Sequence, residues 1–384
     1  MNAPKWNSSD DCQKNHAFHR GEAQPGFAIG LFGARRTGKT VLMHRLVENQ
    51  PGKSLIVSGE DVDVQEILSS QRLSLLKSFT AGYDLLCIDE AQKIPGIGST
   101  LKLIVDNLSD VAIFFTGSSS LELHHQIGEP LTGRSLILNL HGFTQEEIRE
   151  DFLQARKMLE SKLIYGLYPQ VYLEPMPDQK AEILTSIKNG YLLKDILAFD
   201  LQKDSVFVLN LLRLVAFQIG NDISYSEMAG RLQANVKTIQ KYLGILEKMF
   251  VVFSLPGFSK NMRNEYTKTP RYYFWDNGIR NSIISNFNAL EARNDAGVLW
   301  ENFCIAERMK YLASNRIFAN PYFWRNYSQQ EIDYLEERDG GLFAYEMKYS
   351  GKGSRVPASF RTHYPDSKFS EINRETFLDF LTQK

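Results

Sequence analysis

Eight consecutive residues near the start of the chain have the types and spacing of a phosphate-binding loop. They follow the apolar run FAIGLF and precede an amphipathic segment, and they are Gly33, Ala34, Arg35, Arg36, Thr37, Gly38, Lys39 and Thr40. In this GxxxxGK[ST] spacing the glycines let backbone N–H groups converge on phosphate oxygens at the start of a helix. The stretch predicts an ATP site in which Lys39 bridges the β- and γ-phosphates and Thr40 ligates Mg²⁺.

Two acidic residues at the end of a later apolar run could carry out hydrolysis. Asp89 and Glu90 close the stretch YDLLCIDE, which has the length and apolar character of a buried strand. From the end of such a strand, Asp89 can hold the Mg²⁺ shell through water. Glu90 can orient and deprotonate the attacking water, so we expect it to be catalytic together with Lys39.

Small polar residues after another apolar run are candidates for contacting the γ-phosphate. The run VAIFFTGSSS indicates Ser118 as this sensor, with Thr116 as a close alternative and a simple strand-ending turn as another. Arg134 precedes a fifth apolar run, and an arginine there can stabilise the transition state in a neighbouring copy of the chain. Action within one subunit, or a surface arginine without such a role, is equally compatible with the sequence.

A second group of chemically active residues lies near the carboxyl terminus, in EIDYLEERDGGLFAYEMKYS. Asp339-Gly340 predicts a two-residue turn, and a hairpin centred on it places Asp333 opposite Glu346. The same register places Glu331 opposite Lys348. Two facing carboxylates destabilise a sheet unless a cation lies between them, and Mg²⁺ suits that position. The alternative is an exposed face with a surface ion pair between Glu331 and Lys348 and a solvated Asp333.

The elements that position the first group are predicted by the alternation of apolar runs and helical patterns. Over residues 26–142 this alternation indicates a mostly parallel sheet wrapped by helices, with the nucleotide at the carboxyl ends of the strands. Residues 143–203 have a helical pattern and predict a lid, from which Lys194 could contact the nucleotide. Residues 1–25 are polar and predict a flexible tail.

Residues 204–275 have the pattern of a winged helix-turn-helix, in which three helices precede two apolar strands. The third helix is expected to bury an apolar stripe: Val236, Ile239, Leu243, Leu246 and Phe250. Double-stranded DNA is the expected partner of the outward side chains, which are Lys237, Gln240, Lys241 and Lys248 on the helix and Lys260, Arg263, Lys268 and Arg271 on the wing. Protein docking is the alternative role for such a unit.

Composition restricts the classes of function that remain. The chain has 384 residues, of which 43% are hydrophobic and 23% charged, as in a soluble globular protein of two or three domains. Its 44 basic and 45 acidic residues give a net charge of −1, so a nucleic-acid surface must be a local patch. Three widely spaced cysteines and the lack of a long apolar run favour a cytoplasmic protein without a zinc site or a membrane segment.

Eight segments, in this order, resemble a prokaryotic AAA-type ATPase family whose carboxyl-terminal domain of unknown function joins a winged helix to a nuclease-like fold. They are LFGARRTGKT, LCIDEAQ, FTGSSS, LTGR, YGLYPQV, TPRYYFWDNGIRN, LWENF and EIDYLEERDGGLFAYEMKYS. The resemblance implies a restriction-endonuclease-like domain over residues 276–384, with a PD-(D/E)xK core. It implies that Asp333, Glu346 and Glu301 ligate Mg²⁺ and that Lys348 positions the hydrolytic water, although the fold alone does not imply activity.

These expectations describe an α/β protein with a P-loop sheet and a helical lid, then a winged helix-turn-helix, then a nuclease-like α/β domain. The expected function is Mg²⁺-dependent ATP hydrolysis that acts on or near double-stranded DNA, with self-association of several copies. Two alternatives stay open. One is a nucleotide-controlled switch that binds a protein partner through an inactive nuclease-like domain, and the other is a metal-dependent DNA endonuclease licensed by ATP.

Overall fold

The protein is described by a computed structural model that covers residues 24–118, 131–193, 196–197, 204–259, 269–350 and 353–383. Two compact units can be distinguished, the first containing Met1–Gly142 and Lys248–Phe250 and the second Phe143–Glu247 and Val251–Lys384. Several predictions fall outside the described residues: nearly all of the tail, Lys194, and the wing residues Lys260, Arg263 and Lys268.

The first unit is built on a five-stranded sheet. Its strands are β1 (Ala28–Phe32), β2 (Ser54–Ser58), β3 (Leu85–Asp89), β4 (Ala112–Gly117) and β5 (Ser135–Asn139). They lie in the order β2-β3-β4-β1-β5, and every adjacent pair is parallel. The parallel sheet predicted for this part of the chain is confirmed.

Helices cover both faces of this sheet. They are α1 (Lys39–Asn49), α2 (Val62–Ser69), α3 (Leu73–Phe79) and α4 (Ile97–Asn107). Met43 of α1 packs with Ile29 and Phe114 on one face. Leu101 and Ile104 of α4 pack on the other face. Because both faces are buried, the central strands are apolar throughout rather than alternating, which is why they are recognisable in the sequence.

The parallel register brings the chemically active segments of the first unit together at the carboxyl ends of the strands. Phe32, the last residue of β1, pairs with Gly117 at the end of β4. Ile88 pairs with Phe115, so Asp89 lies beside the end of β4 as well. The loop that follows β1 leads directly into α1. The carboxyl ends of three strands and the start of a helix therefore meet where a ligand of an open parallel sheet is expected to bind.

The second unit contains most of the helices. They are α5 (Gln145–Ile148), α6 (Phe152–Tyr165), α7 (Pro169–Leu173), α8 (Pro177–Ile187), α9 (Ser205–Phe217), α10 (Tyr225–Arg231), α11 (Val236–Lys248), α12 (Asn277–Ile283), α13 (Ala296–Ser314), α14 (Ala358–His363) and α15 (Phe377–Thr382). Its strands are β6 (Val252–Leu255), β7 (Arg271–Phe274), β8 (Asn320–Arg325), β9 (Glu331–Arg338), β10 (Gly341–Met347) and β11 (Lys368–Ile372). No helix in the described part of the chain has the length and apolar character that crossing a membrane requires.

The segment predicted to form a lid is helical, and it is held inside the second unit. The backbone N–H of Leu167 donates to the carboxylate of Asp276 at 2.7 Å, and that of Gln145 donates to Glu307 at 2.9 Å. Both carboxylates are buried. Asp276 caps the start of α12, and Glu307 lies on α13. The role of this segment as a lid stays a prediction, as do the domain boundaries after residues 203 and 275, which fall within the second unit.

Three helices, α9 to α11, precede the antiparallel pair β6 and β7, in the order that the sequence predicted. Ile239, Leu243 and Leu246 of α11 are buried as expected. Two members of the predicted stripe differ. Val236 is the first residue of the helix and is 38% exposed, because the buried stripe begins one turn later. Phe250 lies beyond the helix at a φ of 58°, so the helical period does not extend to it.

A four-stranded mixed sheet, ordered β11-β10-β9-β8, closes the second unit. β9 pairs antiparallel with both β8 and β10, while β10 and β11 are parallel. The turn between β9 and β10 has Asp339 at a φ of 53° and Gly340 at 72°, as a two-residue hairpin turn requires. Tyr345 pairs with Tyr334, which confirms the predicted register of this hairpin.

Candidate functional site

Two glycines shape the loop between β1 and α1. A Cβ atom on Gly33 would lie 2.0 Å from the backbone oxygen of Leu140, so only glycine fits where the loop leaves the sheet. Gly38 has a φ of 99° and immediately precedes the first residue of α1. The left-handed conformation lets the backbone turn into the helix, whose first N–H groups have no partners within the helix. The loop therefore has the shape of an anion-binding site.

Lys39 is folded into this loop. Its side chain is only 5% exposed, and its ammonium donates to the backbone oxygens of Gly33 at 3.0 Å and Ala34 at 2.9 Å. The hydroxyl of Thr37 also donates to Ala34, at 2.9 Å. A buried cation bounded by the loop backbone is suited to phosphate oxygens. The predicted phosphate-contacting residues are thus brought together at one end of α1.

Asp89 joins the loop to the central strands. Thr40 donates its hydroxyl hydrogen to Oδ2 of Asp89 at 2.9 Å, and the buried hydroxyl of Thr116 donates to Oδ1. The backbone N–H of Glu90 donates to the same Thr116 hydroxyl at 3.1 Å. The structure therefore brings together the predicted Mg²⁺ residues, Thr40 and Asp89. It also gives Thr116 a direct part in the site.

Glu90 is linked to Ser118 through a residue that the sequence did not single out. The amide nitrogen of Gln92 donates to the Glu90 carboxylate and, at 2.9 Å, to the hydroxyl of Ser118. Gln92 follows Glu90 in the 3-10 turn Ala91–Lys93. A polar residue two positions after a candidate catalytic acid was the available signal. Only the fold, however, shows that it reaches the end of β4.

Arg134 lies at the amino ends of the strands, whereas the loop lies at their carboxyl ends. It directly precedes Ser135, which pairs with Ala28 at the start of β1, and the loop begins after Phe32 at the end of β1. Four or five strand residues at about 3.3 Å each separate these two ends by roughly 15 Å. The guanidinium is 56% exposed and contacts the carboxylate of Asp106. This separation disfavours action on a nucleotide bound in the same subunit, and a role toward a neighbouring subunit stays a prediction.

The groups at the carboxyl ends of these strands fit a nucleoside triphosphate bound with Mg²⁺. It offers a glycine-shaped loop, a buried ammonium, a threonine hydroxyl and a carboxylate within hydrogen-bonding distance of that hydroxyl. Mg²⁺ is held in such sites by one or two protein oxygens together with water and phosphate oxygens. These groups therefore match the ligand in both charge and type.

The carboxylates of the second unit form a different cluster. Asp333 is 7% exposed, and its Oδ2 accepts the backbone N–H of Met347 at 2.8 Å. The ammonium of Lys348 lies 2.7 Å from Oε1 of Glu346, so these two side chains share a face as predicted. Partial burial is the largest single influence and lowers the pKa of Lys348. The hydrogen bond with Glu346 and the nearby negative charges together outweigh it, so the pKa is raised.

Burial and mutual repulsion raise the pKa values of two of these acids. The pKa of Glu301 is raised to about 8, first by burial and then by the charge of Asp333. The pKa of Asp333 is raised to about 7, first by burial and then by the charge of Glu346. The hydroxyl of Tyr273 donates to Oε1 of Glu301 at 2.7 Å. Burial and the neighbouring carboxylates therefore favour the protonated forms of Glu301 and Asp333.

The predicted nuclease metal site is only partly assembled. Within the described residues, no group of three or more His, Cys, Asp or Glu side chains is arranged to hold a metal ion. Glu301, Asp333 and Glu346 each interact with a protein group instead. The charge of Asp333 raises the pKa of Glu301, and the charge of Glu346 raises the pKa of Asp333, yet the three side chains do not converge as a ligand set. Binding of Mg²⁺ by Asp333, Glu346 and Glu301 stays a prediction.

Two ion-pair expectations are also corrected. Glu331 forms its ion pair with Arg271 rather than with Lys348, and the guanidinium of Arg271, on β7 of the two-stranded sheet, donates to Glu331 at 2.7 Å. Arg271 itself was expected to contact DNA phosphates, but it is 2% exposed. It also binds Asp222 and lies 4.3 Å from the centroid of the Phe323 ring. Arg271 is a packing residue of the second unit.

The predicted DNA-contacting residues of α11 are on the surface. Lys237, Gln240 and Lys241 are all exposed, on the side of the helix away from the buried Ile239 and Leu243. The start of the helix is capped by Asn235, whose side-chain oxygen accepts the backbone N–H of Thr238 at 2.7 Å. The structure thus places Lys237, Gln240 and Lys241 together on one helix, whereas Arg263 lies outside the described residues.

Three protein-family descriptions match successive parts of the chain. Residues 26–149 match an AAA domain. Residues 156–290 match a domain of unknown function (DUF8612), and residues 296–378 match another (DUF4143). The amino-terminal unit is similar to AAA domains of P-loop ATPases. The entire candidate nucleotide site, from Gly33 to Ser118, lies within that match.

Bacteria and archaea contain proteins that are similar to most of this chain. Uncharacterized proteins of Mycobacterium tuberculosis and Mycobacterium bovis are each 25% identical over 345 residues, which cover 89% of this chain and 74% of theirs. An uncharacterized protein of Methanocaldococcus jannaschii is 24% identical over 371 residues, covering 89% and 80%. Among solved structures, the RuvB Holliday junction branch migration motor of Thermotoga maritima is 18% identical and covers 59% of this chain and 81% of its own. Its TM-score is 0.29.

Proposed function

We propose that the protein binds ATP with Mg²⁺ and hydrolyses it. The observation that carries this proposal is the set of contacts at the end of β1, β3 and β4, where Thr40 and Thr116 both bond to Asp89. These contacts join the phosphate-binding loop to the acidic strand in one arrangement, with the buried Lys39 alongside. A chance glycine-rich turn has no reason to be joined to a carboxylate in this way.

Each residue has a distinct part in the proposed reaction. Lys39 and the loop from Gly33 to Gly38 bind the phosphate groups, and Thr40 and Asp89 hold Mg²⁺. Bound Mg²⁺ supplies positive charge that offsets the charge developing on the phosphate oxygens. Glu90 orients the attacking water and accepts its proton. Ser118 donates a hydrogen bond toward the γ-phosphate, and Arg134 acts on the nucleotide of a neighbouring copy in a homo-oligomer.

The test compares nucleotide binding and turnover in matched variants. Lys39→Ala should abolish Mg²⁺-dependent ATP binding, measured by calorimetry. Lys102→Ala, which removes an exposed lysine of α4 in the same unit, should leave binding unchanged. Glu90→Gln should bind ATP but release phosphate far more slowly. The proposal fails if the unmodified protein shows no Mg²⁺-dependent binding, or if Lys39→Ala binds as well as the control.

We further propose that the second unit acts on or near double-stranded DNA through a winged-helix arrangement and a nuclease-like sheet. In support, α9 to α11 are followed by an antiparallel strand pair, and α11 presents Lys237, Gln240 and Lys241. Contacts by the two lysines to phosphates should make binding depend on salt. Exchanging Lys237 and Lys241 for Glu should weaken duplex binding and reduce its salt dependence, as measured by fluorescence anisotropy.

A second candidate function is a nucleotide-controlled switch with an inactive nuclease-like domain. The observation that favours it is that Asp333, Glu346 and Glu301 are already bonded to protein groups. Duplex DNA incubated with the protein, ATP and Mg²⁺ should then remain intact on a gel. Cleavage that disappears in Asp333→Ala, while ATP turnover persists, would instead identify an ATP-licensed endonuclease.

A further inference from the structure

The side chain of Gln92 lies between Glu90 and Ser118, which are proposed to act on the attacking water and on the γ-phosphate. Its amide nitrogen donates one hydrogen to the carboxylate of Glu90 and the other to the hydroxyl oxygen of Ser118, at 2.9 Å. Glu90 has a φ of 51°, a left-handed conformation that turns the chain sharply after β3. This turn brings the side chain of Gln92 back toward the edge where Glu90 and Ser118 lie.

The orientation of this amide follows from charge. If the amide were reversed, its oxygen would face the Glu90 carboxylate, and two acceptors would repel each other. The oxygen instead points elsewhere. It is shielded from solvent and has no hydrogen-bond partner among the described residues. An unpaired buried acceptor of this kind costs free energy, and a catalytic role is one of the reasons for which such a group is retained.

These contacts determine which hydrogens remain available for the reaction. The Ser118 oxygen accepts from Gln92, so its own hydrogen can be donated to a phosphate oxygen. One oxygen of the Glu90 carboxylate is occupied, which leaves the other to accept a hydrogen from water. A single amide therefore prepares Ser118 as a donor and Glu90 as an acceptor.

We propose that Gln92 is a positioning residue for ATP hydrolysis, an inference that rests on the proposed ATPase function. It holds Glu90 and Ser118 in fixed relative orientation and so connects the turn after β3 with the end of β4. It does not itself bind the phosphate groups, so its loss should slow turnover without weakening nucleotide binding.

Gln92→Met is the first test, because methionine keeps the length and most of the volume of glutamine but cannot hydrogen-bond in its place. The kcat for ATP should fall by about 10- to 100-fold, as for loss of one hydrogen bond to a charged group. The KM and the calorimetric Kd for ATP should change by less than about threefold. Lys93→Met places the same side chain on an exposed position of the same turn and should leave kcat unchanged.

The outcomes separate this inference from the function on which it rests. If the unmodified protein does not hydrolyse ATP, the proposed function fails. If it does, the inference is overturned when Gln92→Met keeps its kcat or when Gln92→Met loses ATP binding in parallel with kcat. Unchanged binding together with reduced kcat supports it.

Discussion

Replacing Thr116 with valine tests the hydrogen-bond pattern at the centre of the nucleotide site. The two side chains have nearly the same shape, and Thr116 is fully buried, so packing should be preserved. The change removes the bond to Asp89 and leaves the N–H of Glu90 without its acceptor. A hydrogen bond to a charged group contributes about 1.5–3 kcal/mol and a neutral one about 0.5–1.5 kcal/mol. We expect the free energy of unfolding of the first unit to fall by about 2–4 kcal/mol.

The assay must report on the first unit alone. Trp275, Trp300 and Trp324 all lie in the second unit, so tryptophan fluorescence of the described part of the chain follows that unit instead. Amide hydrogen exchange measured by mass spectrometry on peptides from β3 and β4 avoids this problem. At 1.36 kcal/mol per factor of ten, protection of these strands should fall by about 30- to 1,000-fold.

Ser118→Ala is the matched control for this prediction. The hydroxyl of Ser118 accepts a bond from Gln92 but makes no described contact with Asp89. Its removal should change the protection of β3 by less than about tenfold, while turnover of ATP falls. If Thr116→Val alters the exchange of β3 by less than about threefold, the contacts of Thr116 do not stabilise the site, and the argument built on them is refuted.

Three further predictions concern sterics, buried charge and pH. Gly33→Ala should abolish ATP binding, because the new Cβ would overlap a backbone oxygen that cannot move away. Gly38→Ala should cost only about 1–2 kcal/mol of conformational strain. Equal losses of ATP affinity in the two variants, measured by calorimetry, would contradict this prediction. Arg308→Met should destabilise the second unit by about 3 kcal/mol in a denaturant titration followed by tryptophan fluorescence, because the carboxylate of Glu336, 0% exposed, loses one of its two paired charges and keeps only Arg338. Simultaneous Glu336→Leu should recover part of that loss, and a double variant as unstable as Arg308→Met would argue against it. The pKa of Glu301 is raised, so the folded state holds this proton more tightly than the unfolded state does. Stability should therefore fall as the pH rises from about 4.5 through about 8, and Glu301→Gln should reduce that fall. An unchanged slope of stability against pH in Glu301→Gln would mean that ionisation of Glu301 does not destabilise the fold.

The most local features were predictable. The residues from Gly33 to Thr40 are contiguous, and their backbone conformation follows from the glycines and from the strand and helix on either side. The hairpin register was predictable because Asp339 and Gly340 specify a two-residue turn, after which side chains alternate in a fixed way. In both cases the interacting groups are close in the chain, so a short sequence contains the relevant physics.

Predictions that depended on distant residues were less successful. Arg271 looked like an exposed basic residue of a wing, yet Asp222 and Glu331, far away in the chain, neutralise it in the interior. Nothing near Arg271 in sequence indicates these partners. A charged side chain is buried when the fold supplies opposite charge, and exposed when it does not. The sequence alone does not show which of the two holds.

By itself, the sequence determined the phosphate-binding loop, the acidic strand, the parallel sheet between them and the carboxyl-terminal hairpin. Only the tertiary structure decided that Gln92 joins Glu90 to Ser118 and that Arg134 lies at the opposite end of the strands from the loop. It also decided that three carboxylates approach one another without converging as metal ligands. The reason is physical: backbone conformation and strand pairing follow from neighbouring residue types, whereas side-chain distances of about 3 Å depend on how separate strands and helices pack.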